Sequence, residues 1–369
     1  MKKVLLVFGT RPEAIKMAPL VKKLKAEPFF DTRVCVTAQH REMLDMVLNL
    51  FSIIPDCDLN LMSAGQTITD ITVQVLKGMK RILENEKPDL VIVHGDTTTT
   101  MATALASFYQ EIPVAHVEAG LRSDNIYSPY PEEMNRRITG NLAVMHFAPT
   151  VGNKINLLKS GVAEDTIFVT GNTVIDALHM VVEDDYIFPL NLLNKLDYNN
   201  RRVVLLTAHR RENLGKRLEN ICLAIRKVIE DNPDTELIFP VHMNPKVQTV
   251  VKQSLKKIPR VHLIQPLDYE PFVNLMARSY LVLTDSGGIQ EEAPALGKPV
   301  LVLRKETERP EAVEAGTVKV AGVEQEGIVE LTQLLLNNAD EYAKMARAVN
   351  PYGDGQAAER IVEAIKQWF

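Results

Sequence analysis

The chain has 369 residues and a net charge of −5, which argues against nucleic acid or an anionic membrane as its main partner. Its composition, 46% hydrophobic and 24% charged, is that of an ordinary globular protein, and its length favours two domains. Cys35, Cys57 and Cys222 are scattered without a CxxC pair, which is typical of a protein in a reducing cytoplasm.

The first half of the chain alternates apolar strands with helices. The opening run, 4–8, is predicted as a strand, because it meets Gly9 and Pro12 too soon for a signal peptide. No apolar stretch is long enough to span a bilayer. Apolar residues at helical spacing from Ile15 to Leu24 predict a helix after the first turn. The other predicted elements of this half are strands at 33–38, 89–93, 113–117, 143–148 and 166–169, and helices at 67–83 and 101–109.

Charged residues follow several of these strands. Arg11 lies in the turn after the first strand, where it can hold an anion, and Lys16 follows on the helix. Asp96 and Glu118 come directly after neighbouring strands, and ligands of open α/β sheets bind at the carboxyl ends of strands. A functional role is therefore favoured for both carboxylates. The alternative, a cap on the following helix, fits Asp96 better than Glu118.

Three further features of this half bear on function. The polar segment 123–131 is interpreted as a loop leading into a helix that begins near Glu132 and lines the same ligand region. Asp56 and Asp58 have a metal-ligand spacing but are predicted to form a solvated turn. The eight histidines show no metal-ligand spacing. Three of them lie within or at the ends of apolar strands and are predicted to be core or supporting residues: His94, His116 and His146.

The pattern restarts after residue 170. A polar, proline-containing connection at 184–200 precedes a strand at 203–207, which ends at His209 followed by two arginines, a suitable place for phosphate. His242 follows a later strand. The other predicted elements are strands at 237–241, 261–264, 280–283 and 299–303, and helices at 218–229, 269–277, 289–296, 327–336 and 357–369.

The stretch 284–292, TDSGGIQEE, joins a buried strand to a helix through a tight turn. Gly287 and Gly288 leave backbone N–H groups open at the helix start, where the dipole favours an anion, and Ser286 or Asp285 is expected to cap the helix. Two carboxylates, Glu291 and Glu292, would repel a phosphate there, so one of them is expected to contact ribose hydroxyls. The alternative is a capping box with solvated glutamates.

Both halves show the βαβ rhythm of a parallel sheet with helices on both faces. The predicted fold class is therefore α/β, with two Rossmann-like domains at 1–170 and 171–353 that face each other across a cleft. The sequence contains no GxGxxG after a strand, no Walker A sequence and no HExxH, so a tightly bound NAD is not expected.

Seven motifs occur in order along nearly the whole chain: 9–13 (GTRPE), 94–97 (HGDT), 117–122 (VEAGLR), 131–136 (PEEMNR), 207–213 (TAHRREN), 285–292 (DSGGIQEE) and 307–311 (TERPE). Together they resemble the non-hydrolysing UDP-N-acetylglucosamine 2-epimerases. The resemblance implies the glycosyltransferase-B architecture, with the last helix, within 354–369, crossing back onto the first domain. It also implies a cytoplasmic homodimer that uses neither metal nor nicotinamide, has no cofactor and serves polysaccharide biosynthesis.

The resemblance also implies roles for single residues. Asp96, Glu118 and Glu132 match the catalytic carboxylates, and His209 matches a residue of both catalysis and UDP binding. An allosteric contact with a second UDP-N-acetylglucosamine is expected at Gln39, Arg210 and His242. The other positions expected to bind substrate or UDP are Arg11, Lys16, Arg136, Phe272 (near uracil), Ser286, Gly287, Gly288 and Glu292 (on ribose).

The reaction implied is reversible epimerisation at carbon 2 of UDP-N-acetylglucosamine, giving UDP-N-acetylmannosamine. It would proceed by anti elimination of UDP, a 2-acetamidoglucal intermediate and re-addition of UDP. Three alternatives stay open: a hydrolysing epimerase that releases N-acetylmannosamine, a glycosyltransferase of the same fold, and a catalytically silent sugar-nucleotide sensor. Retention of all three carboxylates argues against the sensor.

Overall fold

Strands and helices alternate along the chain in the computed structural model, which describes residues 1–38, 41–63 and 65–369. The strands are β1 (Lys2–Phe8), β2 (Phe30–Val36), β3 (Cys57–Asp58), β4 (Leu90–His94), β5 (Val114–Val117), β6 (Met145–Ala148), β7 (Ile167–Val169), β8 (Arg202–Thr207), β9 (Thr235–Pro240), β10 (Val261–Ile264), β11 (Leu281–Thr284), β12 (Val300–Val302) and β13 (Val318–Val320). The helices are α1 (Arg11–Ala26), α2 (Arg41–Leu50), α3 (Ile68–Glu86), α4 (Thr98–Phe108), α5 (Glu132–Leu142), α6 (Val151–Lys159), α7 (Thr173–His179), α8 (Asn191–Asn194), α9 (Lys216–Asp231), α10 (Pro245–Leu255), α11 (Tyr269–Arg278), α12 (Ile289–Ala295), α13 (Pro310–Glu314), α14 (Gln325–Asn337), α15 (Ala339–Ala346) and α16 (Ala357–Trp368).

Unit 1 comprises Met1–Met180 and Tyr352–Phe369. Its described residues form a parallel sheet with the strand order β3-β2-β1-β4-β5-β6-β7. The central strands β1 and β4 are continuous apolar runs, because helices cover both faces of a parallel sheet of this kind. Leu5 and Val91 of these strands pack with Met79 and Leu83 of α3 in one buried cluster.

Unit 2 comprises Val181–Pro351. Its described strands form a second parallel sheet with the order β10-β9-β8-β11-β12-β13. Leu206 of β8, Phe239 of β9 and Leu283 of β11 are fully buried and pack with Ile221 and Ile225 of α9. Both sheets therefore have the Rossmann strand order. The first three strands are added toward one edge of the sheet, and the fourth is added on the other side of the first strand, which makes the switch point.

The helix α16 returns to unit 1. The carboxylate of Asp176 accepts the N–H groups of Ala357 (3.2 Å) and Ala358 (2.8 Å), the first residues of α16. Ile361 and Ile365 of this helix are fully buried, and the helix packs on α1 and α7. The predicted fold class, two Rossmann-like α/β domains with a last helix that crosses back to the first, is confirmed.

Unit boundaries and one turn differ from the sequence-based expectations. The predicted boundaries follow residues 170 and 353. In the structure α7 packs on α1, and the N–H of Asn172 is bonded to the carbonyl of Tyr352 at 2.7 Å, so these segments belong to unit 1. The predicted solvated turn at Asp56–Asp58 is wrong, because Cys57 and Asp58 form β3 and Asp56 accepts the N–H of Val34 at 2.8 Å.

Candidate active site

The switch point of unit 1 lies between β1 and β4, and one buried carboxylate joins the loops that follow them. The side chain of Glu13, 2% exposed, accepts the N–H groups of Gly9 (3.1 Å) and Thr10 (2.8 Å) through Oε2. Its Oε1 accepts the hydroxyls of Thr97 (2.7 Å) and Thr100 (3.1 Å). Glu13 thus fixes the loops that carry Arg11 and Asp96. Sequence reasoning missed it, although Thr-x-x-Glu before an apolar helix signals a capping box.

Glu118 is the most constrained of the predicted catalytic carboxylates. It follows β5 in a left-handed conformation with φ of 60°, which a non-glycine residue adopts at a cost. Its Oε2 lies 2.5 Å from Nζ of Lys16 and 3.0 Å from Nε2 of His94. Burial alone would raise the pKa of Glu118, but the charges of Lys16 and His94 outweigh it and hold the pKa well below its usual range. Glu118 is therefore ionised at neutral pH.

Asp96 is held by residues of α5. Its Oδ2 accepts a hydrogen bond from Arg136 at 2.5 Å, and its backbone carbonyl accepts the amide of Asn135 at 2.9 Å. Arg136 also donates to the buried Glu133 at 3.2 Å. Burial would raise the pKa of Glu133, but hydrogen bonds from Arg137 and the N–H of Ser123 and the charge of Arg136 lower it. The predicted alternative for Asp96, a helix cap, is wrong, because Thr97 caps α4.

Arg11, Lys16 and Glu132 complete the predicted residues of unit 1. Arg11 is the first residue of α1, and its side chain is partly exposed. Glu132 begins α5, the helix that holds Asp96, and its Oε2 is buried without a hydrogen-bond partner among the described residues. The structure thus brings together Lys16 with Glu118, and Arg136 with Asp96.

The switch point of unit 2 lies between β8 and β11, and Asp285 joins the loops that follow them. The side chain of Asp285 is fully buried. Its Oδ2 accepts the N–H groups of His209 and Arg210, both at 2.9 Å, and the amide of Asn213 at 3.0 Å. The expectation that Asp285 or Ser286 caps α12 is wrong, since the residue before this helix is Gly288 and no side chain caps it.

His209 extends from this junction. Its Nδ1 lies 3.1 Å from Oδ1 of Asp285, and its side chain is 40% exposed. The ring stacks on that of His242, with 6.0 Å between centroids. Arg210 is partly buried beside it. The third residue of the predicted allosteric contact, Gln39, lies outside the described residues.

The loop 286–288 leaves two of its three backbone donors open, because the N–H of Ser286 donates to Oγ1 of Thr284 at 3.0 Å. Within the described residues, no acceptor lies opposite the N–H groups of Gly287 and Gly288. Glu291, 3% exposed, pairs with Arg309 at 2.5 Å, so its charge is compensated within the protein. Glu292 is partly exposed, with its Oε1 about 3.5 Å from the position of a Cβ on Gly288. The pairing of Glu291 with Arg309 therefore compensates one of the two negative charges that would repel an anion from this loop.

Phe272 lies on α11 and is partly exposed. In the described part of the chain, no three His, Cys, Asp or Glu side chains are close enough together to hold a metal ion. Nor does any helix of this part combine the length and apolar character needed to cross a membrane. The arrangement offers ionised carboxylates in unit 1, and a histidine with open backbone N–H groups in unit 2.

Comparisons with known proteins all match this chain to one family. The family model described as UDP-N-acetylglucosamine 2-epimerase matches residues 22–366. The chain is 56% identical over 370 residues to the UDP-N-acetylglucosamine 2-epimerase of Escherichia coli K12, covering 99% of this chain and 98% of that protein. The Neisseria meningitidis UDP-GlcNAc 2-epimerase bound to UDP-GlcNAc matches with a TM-score of 0.88 and 51% identity, over 99% of this chain and 100% of that one. The S. aureus MnaA structure with UDP matches with a TM-score of 0.89 and 49% identity, over 100% and 97%.

Proposed function

This chain belongs to the UDP-N-acetylglucosamine 2-epimerase family, and we propose that it is an isomerase of the non-hydrolysing type. The reaction would convert UDP-N-acetylglucosamine reversibly into UDP-N-acetylmannosamine, with UDP retained until it is added back to the sugar. The substrate is supported by the Neisseria meningitidis relative, which is bound to UDP-GlcNAc, and by the S. aureus relative, which is bound to UDP.

The contact of Glu118 with Lys16 and His94 is the observation that carries this proposal. A carboxylate whose pKa is held low begins a reaction as a proton acceptor or as a fixed negative charge. Asp96, at the end of the adjacent strand β4, is held by Arg136. Two carboxylates at neighbouring strand ends provide for proton transfer at one sugar carbon.

The mechanism follows from the chemistry of carbon 2. No carbonyl acidifies its proton, so direct deprotonation to a carbanion is excluded. In an anti elimination, a base takes the proton from carbon 2, the carbon 1–oxygen bond to UDP breaks, and a carbon 1–carbon 2 double bond forms. The enzyme then holds 2-acetamidoglucal and UDP. Re-addition forms the bond from the UDP oxygen to carbon 1, while a proton is delivered to the opposite face of carbon 2.

We assign one group of residues to proton transfer at carbon 2 and another group to binding of UDP. We assign proton transfer to Asp96, Glu118 and Glu132. We assign stabilisation of the departing diphosphate to Arg11, His209 and the open N–H groups of Gly287 and Gly288, because donors fixed before the reaction stabilise developing charge. Glu292 is assigned to the ribose and Phe272 to uracil. Lys16 and Arg136 are assigned a substrate-binding role in addition to their ion pairs with Glu118 and Asp96.

The deciding experiment is proton NMR of the purified protein with UDP-N-acetylglucosamine in deuterium oxide, without added metal or NAD. The proposal expects UDP-N-acetylmannosamine that carries deuterium at carbon 2. Free N-acetylmannosamine with UDP would contradict it and indicate the hydrolysing type. An unchanged spectrum from folded protein would also contradict it, and would favour a glycosyltransferase or a sensor.

We further propose a homodimer formed through α3 and α4. These helices carry exposed apolar side chains: Val73 is 42%, Phe108 58% and Tyr109 67% exposed. A cavity of about 420 Å³ beside them is lined by Leu76 and Tyr109, among others. Apolar patches of this kind commonly mark interfaces between subunits. Light scattering of the wild type and of Tyr109→Glu tests this: a dimer is expected for the first and a monomer for the second.

We also propose activation by a second molecule of UDP-N-acetylglucosamine at Arg210 and His242. The stacked rings of His209 and His242 support this, because a ligand that contacts His242 can affect the histidine assigned to the diphosphate. A trace of UDP-N-acetylglucosamine should raise the initial rate of the reverse reaction for the wild type but not for His242→Ala. An equal effect on both would remove His242 from the proposal.

A cytoplasmic location and a role in polysaccharide biosynthesis complete the proposal. The free thiols Cys35, Cys57 and Cys222 are compatible with a reducing compartment. The product is a nucleotide sugar that serves as a donor for polysaccharides. Cell fractionation and loss of an N-acetylmannosamine-containing polymer after gene deletion are the matching tests.

A further inference from the structure

The two oxygens of Asp285 have different partners. Oδ2 is saturated by three N–H donors, from His209, Arg210 and Asn213. Oδ1 makes no hydrogen bond of full geometry with the described residues, and lies 3.1 Å from Nδ1 of the His209 ring. Burial would raise the pKa of Asp285, but the His209 side chain and the backbone N–H groups outweigh it and lower the pKa. The group is thus an ionised carboxylate, which only accepts hydrogen bonds.

This contact bears on which nitrogen of His209 carries a proton. An ionised oxygen and an unprotonated nitrogen repel each other at 3.1 Å, so the contact favours the tautomer with its hydrogen on Nδ1. The imidazole nitrogens lie on opposite sides of the ring. Since Nδ1 is turned inward to Asp285, Nε2 is the nitrogen left for a ligand.

We propose that Asp285 is a positioning residue, which holds His209 with its proton on Nδ1 so that Nε2 faces the diphosphate. This inference rests on the proposed function. With Nδ1–H directed at a carboxylate, the ring can take a second proton from solvent on Nε2 and donate that N–H in a hydrogen bond to the departing diphosphate. The negative Asp285 then stabilises the resulting imidazolium while negative charge accumulates on UDP.

His242 provides an internal reference for this assignment. Its Nδ1 accepts the N–H of Asn244 at 3.1 Å, so the neutral His242 ring carries its proton on Nε2. The two rings stack at 6.0 Å with an angle of 19° between their planes. The charged groups nearest to His209 along the chain and across the junction are Arg210 and Asp285. Two stacked histidines are therefore expected to have opposite tautomers in one protein.

The test is nitrogen-15 NMR of the full-length protein with labelled histidine, without ligand and above the pH at which the rings are protonated. In the wild type, His209 should give a protonated-type Nδ1 signal, and His242 a protonated-type Nε2 signal. In Asp285→Asn, the amide oxygen should stay on the three N–H donors and the amide NH₂ should face Nδ1. The proton of His209 should then move to Nε2. A wild-type His209 protonated on Nε2 would overturn the proposal.

Kinetics tests the consequence. Asp285→Asn should lower kcat about 10- to 100-fold, the effect of losing one charge-assisted hydrogen bond. KM should change much less, because a neutral ring with Nε2–H still donates to the bound diphosphate. In a His209→Gln background, Asp285→Asn should have no further effect on kcat. Additive losses in the double variant would mean that Asp285 does not act through His209.

Asn213→Ala is the matched control. It removes one donor from Oδ2 of Asp285 and loosens the same loop, but leaves Oδ1 beside His209. Its His209 tautomer should be that of the wild type, whereas a shifted tautomer would contradict the assignment. If Asp285→Asn does not fold, the wild-type and Asn213→Ala spectra decide. A folded protein that does not epimerise the substrate would refute the proposed function and leave the tautomer measurement intact.

Discussion

Unit 1 and unit 2 each have a buried carboxylate at the switch point, but the two carboxylates hold different groups. The described partners of Glu13 are backbone N–H groups and threonine hydroxyls. Asp285 also accepts backbone N–H groups, but in addition faces the ring of His209. Each unit also has a pair of threonine hydroxyls: Thr37, which follows β2, with Thr99 of α4 at 3.0 Å, and Thr207 with Thr284, at the ends of β8 and β11, at 2.6 Å.

The charged and polar groups around the two junctions also differ. In unit 1 the carboxylates Glu118 and Asp96 are paired with Lys16 and Arg136. In unit 2 the open groups are the ring of His209 and the N–H groups of Gly287 and Gly288. The same scaffold is therefore used twice, once to hold carboxylates in ion pairs and once to present a histidine ring and open N–H donors. Five substitutions test this division, from the largest expected effect to the smallest.

Glu118→Gln should lower the rate of epimerisation and leave the affinity for UDP largely unchanged. We expect epimerisation to fall about 100- to 10,000-fold, as loss of an acid–base group does. UDP affinity, measured by calorimetry, should be close to that of the wild type. Turnover is measured by proton NMR together with deuterium uptake at carbon 2. Unchanged rates for both would refute the catalytic role, and a large loss of UDP affinity would contradict the division between the units.

Glu13→Gln should destabilise unit 1 without changing its surface charge pattern near the substrate. An amide offers one acceptor where the carboxylate offers two, so donors of one loop lose their partner. We expect a loss of about 1–3 kcal/mol in the free energy of unfolding. The single tryptophan, Trp368 of α16, lies in unit 1 and reports its unfolding in guanidinium. Glu84→Gln, an exposed partner of Lys80, is the control and should change stability by less than about 0.5 kcal/mol.

Lys16→Met should change how the stability of unit 1 depends on pH. The folded pKa of Glu118 lies below its ordinary value of 4.5, so this ionised group stabilises the fold above pH 4.5. That contribution is lost as the pH falls through the folded pKa. Without Lys16 the folded pKa of Glu118 rises. Between pH 7 and pH 3.5, the free energy of unfolding of Lys16→Met should therefore fall by about 1–2 kcal/mol less than that of the wild type. Trp368 fluorescence in guanidinium at pH 7 and pH 3.5 measures the difference, and parallel curves for both proteins would contradict it.

Thr207→Val and Thr37→Val should give the smallest effects. Each substitution removes one hydroxyl of a threonine pair and keeps the shape of the side chain. We expect a loss of about 1 kcal/mol or less for each. Hydrogen exchange measured by mass spectrometry should rise in β8 and β11 for the first variant, and at the end of β2 and the start of α4 for the second. A rise confined to the opposite sheet would show that the pairs do not support their own junctions.

Periodicity predicted the framework because it is a local property. The continuous apolar runs that became β1, β4, β8 and β11 are buried on both faces, so their sequence has little freedom. The edge strand β3 was missed because two residues carry no periodicity, and pairing with Cys35 and Val36 of β2 forms it.

The partners of site residues depend on long-range contacts that no local pattern encodes. Lys16 and Glu118 are 102 residues apart in the sequence, and His209 and Asp285 are 76 apart. Strand ends located Asp96, Glu118 and His209 correctly as loop residues, but their neighbours required the sheet order. For the same reason Asp285 was interpreted as a local cap when its partners lie across the sheet.

The return of α16 to unit 1 has a consequence for synthesis on the ribosome. Unit 2 is continuous, Val181–Pro351, and can complete its fold before the last helix is translated. Unit 1 cannot, because Ile361 and Ile365 of α16 leave the exit tunnel only after unit 2 has been made. Until then the apolar surface that α1 and α7 present to α16 stays uncovered. A nascent chain of this protein is therefore expected to need a chaperone at that surface while its second half is being made.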